Sequence, residues 1–141
     1  MEAGSEGASE VMKILTVRQP WAWAMFNAGK DVENRTRRTK HRGPLAIHVS
    51  TFHKWHEIEQ DLCVCGLRNK SVVLPGKVDL EQTLGCIVGV VDLVDCVRDS
   101  ASQWARPGGL HWVIANPRRA RPVPIVGQLG IFERDIELEY L

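Results

Sequence analysis

The chain has little net charge, no long apolar run and no repeated cysteine spacing, and each shortage removes a class of function. Its formal net charge is +1, so no global field recommends nucleic acid as a partner. No stretch approaches the roughly 20 apolar residues that a membrane helix needs, which leaves no expectation of a membrane role. The four cysteines, Cys63, Cys65, Cys86 and Cys96, show no C-x-x-C pairs, and no signal-peptide-like apolar region precedes the rest. A cytoplasmic setting with free thiols is expected. Cys63 and Cys65 with His53 and His56 invite a zinc reading, but C-x-C on a helix turns its two thiols about 200° apart. Buried or half-exposed thiols are the preferred reading, and no metal or cofactor is expected. Oligomeric state leaves no mark in the sequence.

What is present suits one domain with a real core: 141 residues, 44% hydrophobic and 25% charged. Charge is distributed unevenly. Lys30, Arg35, Arg37, Arg38, Lys40 and Arg42 form one basic region, and Arg118, Arg119 and Arg121 a second, so local patches can bind phosphate although the whole is nearly neutral. Chemistry concentrates in Gly29 to Arg35. If this stretch is extended after Gly29, Asp31, Glu33 and Arg35 project to one side, with Lys30 at the turn before them. A lysine, a carboxylate and an arginine brought together suit a polar, partly anionic ligand.

Along the chain, residues 1–11 read as a disordered leader and residues 12–141 as a single domain. Lys13 to Val17 is a strand. Arg18, Gln19 and Pro20 turn into a short apolar helix from Trp21 to Asn27, with Gly29 as its left-handed cap. Trp21 and Trp23 read first as core, although Trp21 is close enough in sequence to the Gly29 stretch to stack on a base. Thr36 to Arg42 is an exposed loop and Leu45 to Val49 a strand containing His48, which reads as a hydrogen-bonded core residue with a binding or catalytic role as the alternative. Ser50 or Thr51 caps an amphipathic helix with Phe52, Trp55, Ile58, Leu62 and Cys65 on its apolar face, ending at Gly66. Leu67 to Gln82 is irregular.

Leu84 to Cys96 is a valine-rich strand bent at Gly85 and Gly89, with Asp92 and Asp95 at its rim. Asp99 to Gln103 makes one helical turn, anchored by Trp104. His111 to Ala115 is a strand broken by Asn116 and Pro117; Arg118 to Val126 is an edge strand, and Gly130 to Glu133 the last one. About six strands with two to three helices and no βαβ alternation predict an α+β fold, a small twisted β-barrel.

Gly29, Lys30, Glu33 and Arg35 resemble the signature of the ASCH domain, a family similar in fold to the PUA domain. Arg18-Gln19-Pro20-Trp21 resembles the family's opening. Arg42-Gly43-Pro44-Leu45 with Ile47 and His48 resembles its third strand, and Gly85 to Val91, Trp112 to Pro117 and Gly127 to Phe132 resemble the remaining strands. The likeness covers Ile14 to Asp135. It implies a PUA-like barrel with a cleft between barrel and helices that binds RNA or a nucleotide-like ligand. Some small relatives are amidohydrolases acting on N4-acetylcytidine through a lysine, a hydroxyl nucleophile and a carboxylate; others are ribonucleases. The deacetylating relatives carry a threonine where this chain has Glu33, so no acyl intermediate forms at this position. Hydrolysis here would need Glu33 to activate a water while Lys30 stabilises the oxyanion.

Two functional readings follow. In the first, the cleft binds single-stranded RNA, a nucleotide or a modified nucleoside: Arg18, Gln19, Trp21, Lys30, Glu33, Arg35 and His48 line it, and Arg37, Arg38, Lys40 and Arg42 hold the backbone. Here Glu33 accepts from an exocyclic amine. In the second, a hydrolase uses Lys30 and Glu33 with Asp92 assisting. Burial makes a lysine a better base, but a neighbouring glutamate opposes that, which favours binding. An ion-pair network that merely closes the cleft is the bland alternative.

Overall fold

The computed structural model describes residues 8–52 and 54–141. His53, and with it the zinc reading that used it, lies outside the described residues. Six strands and three helices follow in the order β1 (Glu10–Val17), α1 (Trp21–Asn27), β2 (Val32–Arg35), β3 (Gly43–Val49), α2 (Trp55–Arg68), α3 (Lys77–Glu81), β4 (Cys86–Val97), β5 (Leu110–Pro124) and β6 (Ile131–Ile136). The fold is α+β, as its mixture of β-branched strands and one amphipathic helix predicts.

The strands form one mixed sheet in the order β2-β5-β4-β3-β1-β6, with β1 and β3 parallel and every other neighbouring pair antiparallel. Among the described residues no ladder joins β2 to β6, so the sheet is open and the expected barrel is not closed by backbone hydrogen bonds. The central strands are apolar on both faces. Leu15, Val17, Leu45, Ile47 and Val49 enter one core with Leu93, Trp112 and Ile114, while Met12, Ile14 and Ala46 enter a second with Ile87, Val90 and Phe132. A two-residue period sorts β1 and β3 between these cores. In β4 the pairing with β5 shifts register three times, which moves Asp92 and Asp95 out of simple alternation.

Several boundaries differ from the sequence expectation. The first strand starts at Glu10, pairing Glu10 and Val11 with Ile136 and Asp135, so two residues assigned to the leader belong to the sheet. Asn116 and Pro117 do not end a strand: Asn116 takes φ +52° and β5 runs on to Pro124. This is tolerated because β2 covers β5 only from Leu110 to Val113, leaving Pro117 with no ladder partner to satisfy on that side. The helix α2 passes through Gly66 to Arg68, and α3 lies inside the stretch expected to be irregular. Phe52 is exposed and Trp55 half-buried under Lys77, whose Nζ stands 5.0 Å from the ring centre, so neither is core. Asp99 to Gln103 forms no helix; Trp104 alone keeps its anchoring place, fully buried.

Candidate functional site

The helix α1 ends where Gly29 takes φ +71°, a conformation that costs a side-chain-bearing residue about 1 kcal/mol or more. The turn returns the Lys30 N–H to the Ala24 carbonyl at 3.1 Å and sends the Lys30 side chain inward. Lys30 and Glu33 are both buried, at 5% and 8% exposure, which is rare for charged groups unless they are paired. They are paired. Lys30 Nζ donates to the Val32 carbonyl and, at 3.2 Å, to Glu33 Oε1, while Glu33 Oε2 accepts from Arg35 Nε at 2.9 Å and forms an ion pair with Nη2 at 2.8 Å. Arg35 Nη2 also reaches the Thr16 carbonyl on β1 at 3.0 Å. Asp31 is not part of this group; its carboxylate accepts from the Ser102 hydroxyl.

Burial pushes the Lys30 ammonium below its ordinary range, an effect opposed by the Glu33 charge and hydrogen bond and reinforced by Arg106. Cys65, buried near Lys30, is pushed up to about 11, chiefly by desolvation and secondarily by Asp61.

These groups stand at the junction of two cavities. An inner chamber of about 100 Å³ is lined by Trp21, Lys30, Glu33, Asn34, Arg68, Trp104 and Arg106. An open outer cleft of about 600 Å³ adds Thr16, Arg18, Arg35, Thr36 and the α2 residues Glu57, Gln60 and Asp61. Trp21, Glu33, Asn34 and Arg106 belong to both, so one cavity opens into the other. Trp21 and Trp104 meet edge to face, ring centres 6.4 Å apart at 82°, and Lys30 Nζ lies 6.0 Å from the Trp21 ring centre. Asn34 secures the lip: its Nδ2 donates to the Trp104 carbonyl at 3.0 Å and its Oδ1 accepts from the Arg106 N–H at 2.8 Å. His111 Nε2 donates to the Arg106 carbonyl from below at 2.6 Å, and its Nδ1 accepts from the Ser100 N–H. Trp104 is 2% exposed, yet its indole Nε1–H has no hydrogen-bond partner among the described residues. An unmatched buried donor costs about 1–3 kcal/mol, so this one calls for an acceptor.

The sequence candidates divide by position. Lys30, Glu33, Arg35, Trp21 and Arg18 line the two cavities, Arg18 at the rim within 3.5 Å of Asp61. Gln19 faces elsewhere: buried, it accepts from the Trp23 N–H at 2.8 Å, donates to Thr83 Oγ1 at 3.1 Å and borders an apolar groove on the other side of α1. His48 is buried between Thr16, whose hydroxyl donates to Nδ1 at 3.0 Å, and the Ile125 carbonyl, which accepts from Nε2 at 3.0 Å. Asp92 lies on β4 away from both cavities, its oxygens accepting at 3.0 Å from Asn116 and at 3.0 Å from Arg118, which in that order hold its carboxyl below the usual range. Arg37, Arg38, Lys40 and Arg42 are exposed on the loop after β2 and line neither cavity; Arg42 is 3.7 Å from Asp95 and Arg38 donates to the Cys96 carbonyl at 3.4 Å. Asn34, Arg68, Trp104 and Arg106 are lining residues that the sequence reading passed over. Of these only Trp104, a large aromatic before a Pro-Gly-Gly turn, carried a signal.

Cys63 is exposed and Cys65 buried, and all four cysteines are free. Among the described residues no three His, Cys, Asp or Glu side chains gather as a metal site, and no helix is long and apolar enough to cross a membrane.

Comparison with known proteins agrees with the sequence resemblance. Activating signal cointegrator 1 of Homo sapiens is 35% identical over 85 residues, covering 59% of this chain and 14% of that protein. Activating signal cointegrator 1 of Mus musculus is 33% identical over 134 residues, covering 88% of this chain and 22% of that protein. The chain thus spans less than a quarter of the length of these relatives. The sequence model of the ASCH domain matches residues 15–124, a span holding the whole Lys30, Glu33 and Arg35 group, and the chain belongs to the ASCH domain family.

Proposed function

We propose that the chain binds single-stranded RNA, or a nucleotide or modified nucleoside, in the cleft at the junction of the two cavities. The observation that carries this reading is the meeting of Lys30, Glu33 and Arg35 where a small chamber opens into a larger cleft walled by Trp21. Stacking on an aromatic face together with cationic donors is how unpaired bases and their backbone are held. Membership of the ASCH family, whose members the resemblance associates with RNA, supports it. The loop cations Arg37, Arg38, Lys40 and Arg42 then serve the backbone beyond Thr36. The free thiols accord with a cytoplasmic setting. Glu33 has both oxygens engaged by Lys30 and Arg35, so it acts here as the organiser of two cations more than as a receiver of an exocyclic amine.

The second reading, hydrolysis of an acylated nucleoside such as N4-acetylcytidine, draws on the buried pairing of Lys30 with Glu33. In it Lys30 steadies the oxyanion and Glu33 orients water, and Asp92, which borders neither cavity, takes no part. Incubating the protein with N4-acetylcytidine and with a short single-stranded RNA separates the two. Salt-dependent RNA binding without turnover supports the binding reading. Deacetylation that Lys30→Ala abolishes replaces it with the hydrolase.

A further inference from the structure

The wall of the inner chamber holds donors without partners, and its acceptors are already engaged. The Trp104 indole N–H is unpartnered, and Lys30 Nζ, bound to the Val32 carbonyl and Glu33, keeps a third N–H. Arg68 lies 5.6 Å over the Trp104 ring, and among the described residues neither its guanidinium nor that of Arg106 has a carboxylate partner. On the acceptor side, both Glu33 oxygens already receive N–H groups and both ends of the Asn34 amide are used. Three cations face one carboxylate. A base offering an amine would have to share oxygens that already accept an N–H, whereas an oxyanion meets an excess of cationic donors.

Size points the same way. At about 100 Å³ the chamber takes a small group, and the cleft of about 600 Å³ outside it takes the remainder of a ligand. We propose that the inner chamber is a subsite for a phosphate monoester. Trp104, Lys30, Arg68 and Arg106 hold the terminal phosphate of a nucleotide or of an RNA end, and the nucleoside lies in the outer cleft against Trp21. A monoester carries about −1.5 to −2 charge and three acceptor oxygens, which a backbone diester does not match. This deepens the binding reading above and rests on it.

The test follows the five tryptophan indole N–H signals by NMR while titrating cytidine, its 5′- and 3′-monophosphates, inorganic phosphate, and a short RNA with and without a terminal phosphate. Trp104→Phe assigns the relevant signal, and the single variants Arg68→Gln and Arg106→Gln, at partly or fully exposed side chains, probe the site without emptying the core. At least one monophosphate is expected to bind about tenfold more tightly than cytidine and to shift the Trp104 N–H downfield, with each arginine variant removing much of that preference. Equal binding of nucleoside and monophosphates, an unmoved Trp104 signal, or a preference that survives both arginine variants overturns the subsite. RNA that binds equally with and without a terminal phosphate, and is weakened by Arg35→Gln, removes the subsite and keeps the cleft. Binding of none of these ligands removes both.

Discussion

Arg35 on β2 donates to the Thr16 carbonyl on β1 at 3.0 Å, joining two strands that are separated by three others in the sheet order. The sheet therefore curls until its β2 edge approaches β1, and a side chain spans what a backbone ladder does not. The same guanidinium binds Glu33, so it secures the site and the curl together. A hydrogen bond to a charged group contributes about 1.5–3 kcal/mol. Arg35→Gln should thus destabilise the protein by about 1–3 kcal/mol and speed amide exchange in β2 more than in β3, as hydrogen exchange read by mass spectrometry would report. Uniform exchange across both strands would mean that Arg35 is only a surface cation.

Lys30 and Glu33 answer for one another. Glu33→Gln strands a buried ammonium whose other partners are a carbonyl and an aromatic face, and removing one member of a buried pair costs about 3–5 kcal/mol. Lys30→Met should cost less, because Glu33 keeps the half-exposed Arg35. In a denaturation series the double variant should lose clearly less than the sum of the single losses. Additive losses would show that the two charges do not interact in solution.

The buried Cys65 thiol makes stability depend on alkaline pH. Burial raises its pKa to about 11 from an ordinary 9.0, so an unfolded chain gives up this proton earlier than the folded one. Its stabilising contribution is complete below pH about 9 and is lost as pH rises to about 11. Lys30 works the other way: its pKa is lowered in the fold, so between that lowered value and its usual 10.5 the unfolded chain holds more protons and stability rises with pH. Comparing the protein with Cys65→Ala removes the part of the lysine effect that both proteins share and leaves the thiol together with its charge coupling to Lys30. In urea denaturation the margin of the natural protein over Cys65→Ala should shrink between pH about 8 and about 11. A constant margin would place the thiol in a more polar setting than its burial indicates.

Much of this was legible along the chain, and what was not has physical reasons. Lys30 to Arg35 could be singled out because a glycine cap and a short strand fix their geometry locally, within six residues. The strand β3 could be found from its turn residues and apolar run. The continuation of β5 through Asn116 and Pro117 could not, because whether a proline breaks a strand depends on whether a neighbour needs its missing N–H, and that depends on where β2 stops. Arg68 was hidden behind Gly66, read as a helix end when tertiary packing carries α2 past it. His48 carries a ligand role in the sequence only as the alternative to a hydrogen-bonded core place, and Gln19 is placed in the cleft with the Arg18-Gln19-Pro20-Trp21 opening that resembles the family's. Each is satisfied by partners distant in sequence, Ile125 and Thr83. The unmatched Trp104 N–H exists only once α2, β2 and the loop before β5 have come together.

The most direct measurement is the salt dependence of single-stranded RNA binding by the natural protein and by Arg35→Gln, followed by fluorescence anisotropy. Each phosphate contact contributes about −0.7 to the slope of log K against log salt for single strands. Measurable binding is expected, with a slope that Arg35→Gln makes shallower by about that amount. RNA binding of equal affinity and equal slope in both proteins would contradict a cleft built around Lys30, Glu33 and Arg35.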